Sequence, residues 1–312
     1  MPSTPPDLTT RLTPTLELAS PLLAASGTFG YGDELADLTD GRALGALIAP
    51  TLTPQPRPGN AMPRTVEASA SLLHATGLPN PGLQAFLTDR LPQMNALPCP
   101  IIVSILAETE GEWRQLAADL TAAGGVAALE LNLTPLTFLT GEHAGETPPS
   151  EAAQLERIAA AVGAVRAATM LPLIAKLPPI GVEVGRAAQV AVETGADVIA
   201  VSQAFPGVAV RLSRRRFTLP GVVGGLSGPC IKPLALYQVW RVAQEVKVPI
   251  LGGGGIMNGE DALEFLMAGA SAVTVGVANA IHPDVITRIR TDLLAYMATH
   301  SLSRISDLIG IA

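Results

Sequence analysis

Cysteine is nearly absent from this chain. Cys99 and Cys230 stand far apart in 312 residues, which excludes a disulfide framework and gives no ligand spacing for a zinc or iron–sulfur site. Lysine is scarce too: Lys176, Lys232 and Lys247 are the whole set, and arginine supplies the rest of the positive charge. Lys and Arg number 20 against 27 Asp and Glu, for a net charge of −7. That deficit argues against nucleic acid or an anionic membrane surface as a partner. No apolar run approaches the length of a membrane span. The opening residues MPSTPPDLTT contain no basic stretch leading into an apolar core, so no secretory signal is read there. The expected location is the cytoplasm, and residues 1–15 are expected to be loosely ordered.

The chain is rich in aliphatic residues. Hydrophobic residues make up 48% of it, enough for one large barrel or two modest domains. Strand-like runs fall at Pro21–Ser26, Gly45–Thr51, Pro100–Leu106, Val126–Asn132, Leu171–Lys176, Asp197–Gln203, Val248–Gly252 and Ala272–Gly276. They lack polar alternation, as strands covered on both faces do. Helical patterns fall at Gly111–Ala123, Glu151–Ala168, Val182–Thr194, Pro233–Glu245, Gly259–Ala268 and Asp284–Ala298. Such alternation predicts parallel βαβ units. Eight strands predict an α/β fold of the (β/α)8 TIM-barrel type, one domain over residues 1–312. A doubly wound open sheet is the competing architecture, but no GxGxxG follows the first strand. Three long connections, Thr53–Pro81, Thr134–Ser150 and Ala204–Pro229, all follow strands. In a barrel they lie on the C-terminal face, where active sites are built.

The most informative stretch is PILGGGGIMNGEDALEFLMAGASAVTVGVAN, Pro249 to Asn279. Gly252 to Gly255 remove every Cβ from one strand end, and Gly276 does the same at the next. Backbone N–H groups can then approach an anion closely. Two neighbouring glycine-lined strand ends near the C-terminus are where a barrel usually holds a phosphate; the plainer reading is a structural turn. The basic run RLSRRR, Arg211 to Arg216, reads as a solvated loop face, with docking to an acidic partner as the alternative.

Several short motifs then occur in order: ASGTFG at Ala25–Gly30, PRPGN at Pro56–Asn60, GLPNPG at Gly77–Gly82, LELN at Leu129–Asn132, AKL at Ala175–Leu177 and GGLSGPCIKP at Gly224–Pro233. With the glycine-rich stretch they resemble the soluble class 1 dihydroorotate dehydrogenases from about Leu16 to Pro283. The resemblance implies an FMN oxidoreductase of pyrimidine biosynthesis that converts dihydroorotate to orotate. It implies FMN across the barrel mouth, the phosphate on Gly228, Gly254, Gly255, Gly276 and Val277, and the ring near Ala25, Ser26, Thr51, Asn132, Lys176 and Ser202. Lys176 would stabilise the negative charge of reduced flavin; the plainer reading is a strand-end lysine reaching solvent. A small-molecule substrate would meet His74, Thr76, Gly77, Leu78, Asn132 and Gln203. A dimer, and a separate FAD and iron–sulfur electron-transfer subunit, are also properties of such proteins. No metal is expected in this chain.

The departures fall in the catalytic apparatus. Members of the family carry a Cys or Ser after the strand-4 Asn; it takes the substrate's C5 proton while hydride leaves C6 for the flavin. Here the segment reads Asn132-Leu133-Thr134-Pro135-Leu136-Thr137. Thr134 and Thr137 carry the local substitute hydroxyls, and His74 is the other candidate acid or base. A family lysine at the second strand end is replaced within Ala49-Pro50-Thr51, and recognition asparagines become His74 and Gln203. Losing matched polar contacts weakens selection strongly, so orotate is expected to bind poorly. The readings left open are dihydroorotate oxidation, oxidation of another small cyclic compound, and a scaffold without chemistry.

Overall fold

The computed structural model describes residues 6–32, 41–136 and 149–312. Eight parallel strands close into a barrel. Numbered one to eight along the chain, they are Leu22–Ala24, Ala46–Leu52, Ile101–Ile105, Ala128–Asn132, Leu173–Lys176, Val198–Val201, Ile250–Gly253 and Ala272–Val275. Six lie within the expected runs, and strands two and seven run one residue past theirs, to Leu52 and Gly253. Helices Glu110–Ala123, Glu151–Arg166, Val184–Glu193, Lys232–Glu245, Gly259–Met267 and Val285–Thr299 flank it, matching the helical patterns to within two residues.

The missing alternation has a clear cause. Leu23, Ile48, Ile102, Ile174 and Leu251 face the barrel axis and pack together. Their neighbours Leu22, Leu47, Ile101, Leu173 and Ile250 face outward into the layer of helices. Both faces are dry, so both are apolar. Helix starts are fixed by caps: Thr109 and Glu112 form a reciprocal capping box, and Asn258 Oδ1 accepts from the Asp261 N–H at 2.9 Å. Such caps contribute about 1 kcal/mol each.

The N-terminus corrects one expectation. Residues 1–5 lie outside the described residues, but Thr10–Thr13 and Leu16–Leu18 form an antiparallel hairpin. Leu12, Leu16 and Leu18 join the inward-facing barrel cluster and plug its N-terminal end. Burying each such leucine contributes roughly 1.5–3 kcal/mol, which accounts for the order of residues 6–15.

Two of the three long connections also have structure that their sequences did not suggest. Phe205–Val208, Val223–Ser227, Ser71–His74 and Thr65–Ala68 pair, in that order, as one antiparallel sheet over the C-terminal face. The basic run lies in a small exposed hairpin pairing Val210–Arg211 with Arg216–Phe217. The stretch Gly82–Met94 is helical with a π turn at Phe86–Arg90. Its buried residues Phe86 and Leu91 are five apart, which suits a π turn and hides the 3.6-residue period.

Candidate active site

Period-two alternation carries directly into the site. Continuing each inward-facing row one step past the apolar layer reaches Ala25, Pro50, Ser104, Glu130, Lys176, Ser202, Gly253 and Thr274. One further step reaches Asn132 on strand four and Gly276 beyond strand eight. The axis therefore changes from leucine and isoleucine to polar groups just below the mouth. Strand two adds a register shift between Ala49 and Leu52. Such a bulge re-aims side chains, and Pro50, which has no N–H to pair, sits inside it beside Thr51.

Above that floor lies a cavity of about 450 Å³. Ala25, Ser26, Thr51, Asn132, Lys176, Ser202, Gly228, Gly254, Gly255, Gly276 and Val277 all line it, as do His74, Thr76, Leu78 and Gln203. Two candidates stand elsewhere. Gly77 is not a lining residue; its φ of 74° and the Asn60 amide, which a Cβ would strike, make it a turn glycine. Thr134 is buried behind the wall, its hydroxyl accepting from Gln203 Nε2 at 2.8 Å. Thr137 falls outside the described residues.

At the glycine end, Gly254 and Gly255 have φ of 125° and 81°, conformations that side chains rarely adopt. A Cβ on Gly255 would meet Gly228 O and the Lys232 backbone N at 2.9 Å. A Cβ on Gly276 would meet nothing closer than Ala25 Cβ at 3.9 Å and would project into the cavity. The hydroxyls of Ser202 and Thr274 are buried here without a protein partner. Buried orphan donors are costly, and these two lie beneath the cavity surface rather than on it.

Across the floor, Lys176 Nζ lies 3.6 Å from Glu130 Oε1, and the side chains are 7% and 0% exposed. Both Glu130 oxygens lack a hydrogen bond, so Lys176 is the near cation that offsets its burial. Asn132 sits in a run of polar contacts. Gln203 Nε2 donates to Asn132 Oδ1 at 3.1 Å, Asn132 Nδ2 donates to Thr51 Oγ1 at 3.4 Å, and Thr51 and Ser104 hydroxyls meet at 3.0 Å. Ser26 Oγ donates to Ala49 O at 2.8 Å. Arg157 Nη2 donates to Leu133 O and steadies the turn after strand four.

His74 enters from the overlying sheet, paired with Thr65 on one side and Gly225 on the other. Its Nε2 lies 3.1 Å from Ser227 Oγ. Burial, and then the nearby Lys176 charge, hold its pKa below 6.5, so the imidazole is neutral at pH 7. Neither cysteine substitutes for a base: Cys99 precedes strand three at the opposite end, its thiol pushed up to about 11 by burial. Cys230 is exposed and does not line the cavity.

Sequence reading missed Ser227, Thr274, Thr65, Leu72 and Ile256 as lining residues. Thr274 was findable, since it occupies the inward row of strand eight. Thr65 and Leu72 were not, because they depend on the sheet formed by distant loops. Among the described residues no cluster of His, Cys, Asp or Glu could hold a metal ion, and no helix is long and apolar enough to cross a membrane.

A parallel barrel whose mouth pairs a glycine-lined end with a buried lysine belongs to the (β/α)8 class. Comparison with known sequences narrows that class. The family described as Dihydroorotate dehydrogenase matches residues 8–297. A Geobacter sp. (strain M21) protein named "Dihydroorotate dehydrogenase B (NAD(+)), catalytic subunit" is 40% identical over 95% of both chains. Proteins of that name from Geotalea daltonii and Desulforudis audaxviator are each 41% identical, over 98% and 95% of both chains. The chain belongs to the dihydroorotate dehydrogenase family and is an oxidoreductase of that type.

Proposed function

We propose that this chain is an FMN-dependent dihydroorotate dehydrogenase that passes its electrons to a separate subunit. The observation that carries this reading is the opening of the glycine cradle and a buried lysine into one cavity. Gly228, Gly254, Gly255, Gly276 and Val277 would hold the phosphate through backbone N–H groups. Ala25, Ser26, Thr51, Asn132, Lys176 and Ser202 would surround the ring. Bound FMN supplies a ring that accepts hydride and becomes electron-rich. Lys176, buried and paired with Glu130, would place a fixed positive charge where that density develops. Asn132 and Gln203, locked by their mutual hydrogen bond, orient the substrate with His74, Thr76 and Leu78. The relatives' names describe a catalytic subunit, which supports a second, electron-transferring chain.

A second reading, oxidation of a different small cyclic compound, is favoured by one feature. Pro50, His74 and Gln203 all line the cavity where the family presents lysine and asparagines. An anaerobic titration separates the readings. The purified protein is expected to be yellow, and dihydroorotate to bleach it. Yellow protein that does not bleach leaves the second reading. Colourless protein that stays colourless with added FMN sinks both.

A further inference from the structure

The family's base is missing from the loop after strand four, and Thr134 does not replace it, since its hydroxyl is buried behind Gln203. The reaction still requires a proton acceptor. Among the described residues that line the cavity, His74 and Lys176 alone carry titratable side chains. Lys176 is engaged with Glu130, and as an ammonium it has no lone pair to offer.

We propose that His74, hydrogen-bonded to Ser227, is the base that takes the substrate's proton. This rests on the dihydroorotate reading above. The C5–H bond of dihydroorotate breaks and its proton forms an N–H bond on the imidazole. The electron pair left behind would become the C5=C6 π bond as hydride departs C6 for the oxidised FMN that the site would hold. The substrate is oxidised by two electrons and the flavin is reduced by two.

The surroundings suit the task. His74 is neutral at working pH, so one of its ring nitrogens carries a lone pair. Its position is fixed by ladder pairing on both sides, and by Gly225, where a Cβ would lie 3.0 Å from the ring. Lys176 is the charged group facing it, and Glu130 pairs with that lysine below. The flanking strands bring Thr65, Gly225 and Ser227 to the ring, and Glu67 pairs across to Leu72 instead. Positive charge created on His74 is offset by the negative charge of the transferred hydride. The imidazolium therefore forms at the moment when the cavity can tolerate it.

The test is anaerobic stopped-flow reduction of the FMN-loaded protein by dihydroorotate, with parallel orotate titration of the flavin spectrum. His74→Ala is expected to slow reduction by roughly 10²–10⁴-fold, while orotate affinity changes less than about tenfold, and added imidazole restores part of the rate. The wild-type rate should fall at acid pH with the pKa that carbon-13 NMR reads for His74 in the flavin-free protein, and Ser227→Ala should move both together. A His74→Ala rate within threefold of wild type, or a rate profile that ignores the NMR value, overturns the assignment while leaving dihydroorotate oxidation standing. Wild-type yellow protein that dihydroorotate fails to reduce removes the underlying reading and this assignment with it.

Discussion

The two ends of the cavity are built from different materials. Strands seven and eight present main chain stripped of side chains, at Gly254, Gly255 and Gly276. The other end presents side chains, His74, Asn132, Lys176 and Gln203, brought from strands four, five and six and from the overlying sheet. Backbone recognition tolerates one residue type, because any Cβ fills the space that the anion needs. Side-chain recognition can be rewritten position by position. The departures from the family resemblance, at Pro50, His74 and Gln203, all fall at the side-chain end.

The largest expected effect is at the floor between the two ends. Lys176→Met strands the Glu130 carboxylate, a loss of about 3–5 kcal/mol readable as a lower denaturant midpoint. The double variant Lys176→Met with Glu130→Gln should recover most of that stability. It should still show a lowered flavin reduction potential, because the cation that favours reduced flavin is gone. An unchanged potential would place Lys176 outside the flavin site.

At the glycine end, Gly276→Val should fold normally, since its φ is ordinary and its Cβ points into open space. It should lower flavin affinity by about 10²-fold, equivalent to about 3 kcal/mol, read as the ratio of flavin to protein absorbance. Stoichiometric flavin in that variant would break the comparison. Gly254→Val is a poorer probe, because φ of 125° and Ala235 Cβ at 2.9 Å would strain the chain itself.

At the side-chain end, Gln203→Ala removes donors to Asn132 and Thr134, and should weaken orotate binding about tenfold, or roughly 1.4 kcal/mol, without loss of flavin. If flavin is lost as well, the two ends are not independent.

The smallest effect is on stability. His74 has a lower pKa folded than unfolded, so as pH falls below 6.5 the unfolded chain takes up a proton that the folded one refuses. Stability contributed by the neutral ring is present above that pH and declines below it, by at most about 1.4 kcal/mol per pH unit, until the folded imidazole protonates too. Denaturant midpoints of wild type and His74→Asn should converge at acid pH; parallel curves would contradict the shift.

Much of this was legible in the chain itself. The strand positions followed from apolar runs that need no partner to be seen, because burial on both faces removes alternation locally. The glycine-lined end of the cavity followed from glycines, whose freedom at positive φ is a property of the residue. Lys176 stood out through its rarity and its place at a strand end. The rest depended on contacts between residues far apart in sequence. Leu12, Leu16 and Leu18 look like an ordinary terminal segment until the barrel supplies a hole for them to fill. His74 meets Ser227 only because strands from two separate loops pair over the barrel mouth. Thr134 read as a substitute hydroxyl for the missing base, but Gln203, from strand six's end, closes over it. Local patterning determined the elements and the glycine end of the pocket, since both are written in neighbouring residues. Which side chains share the other end was decided by tertiary pairing, because their proximity is created only when the loops meet.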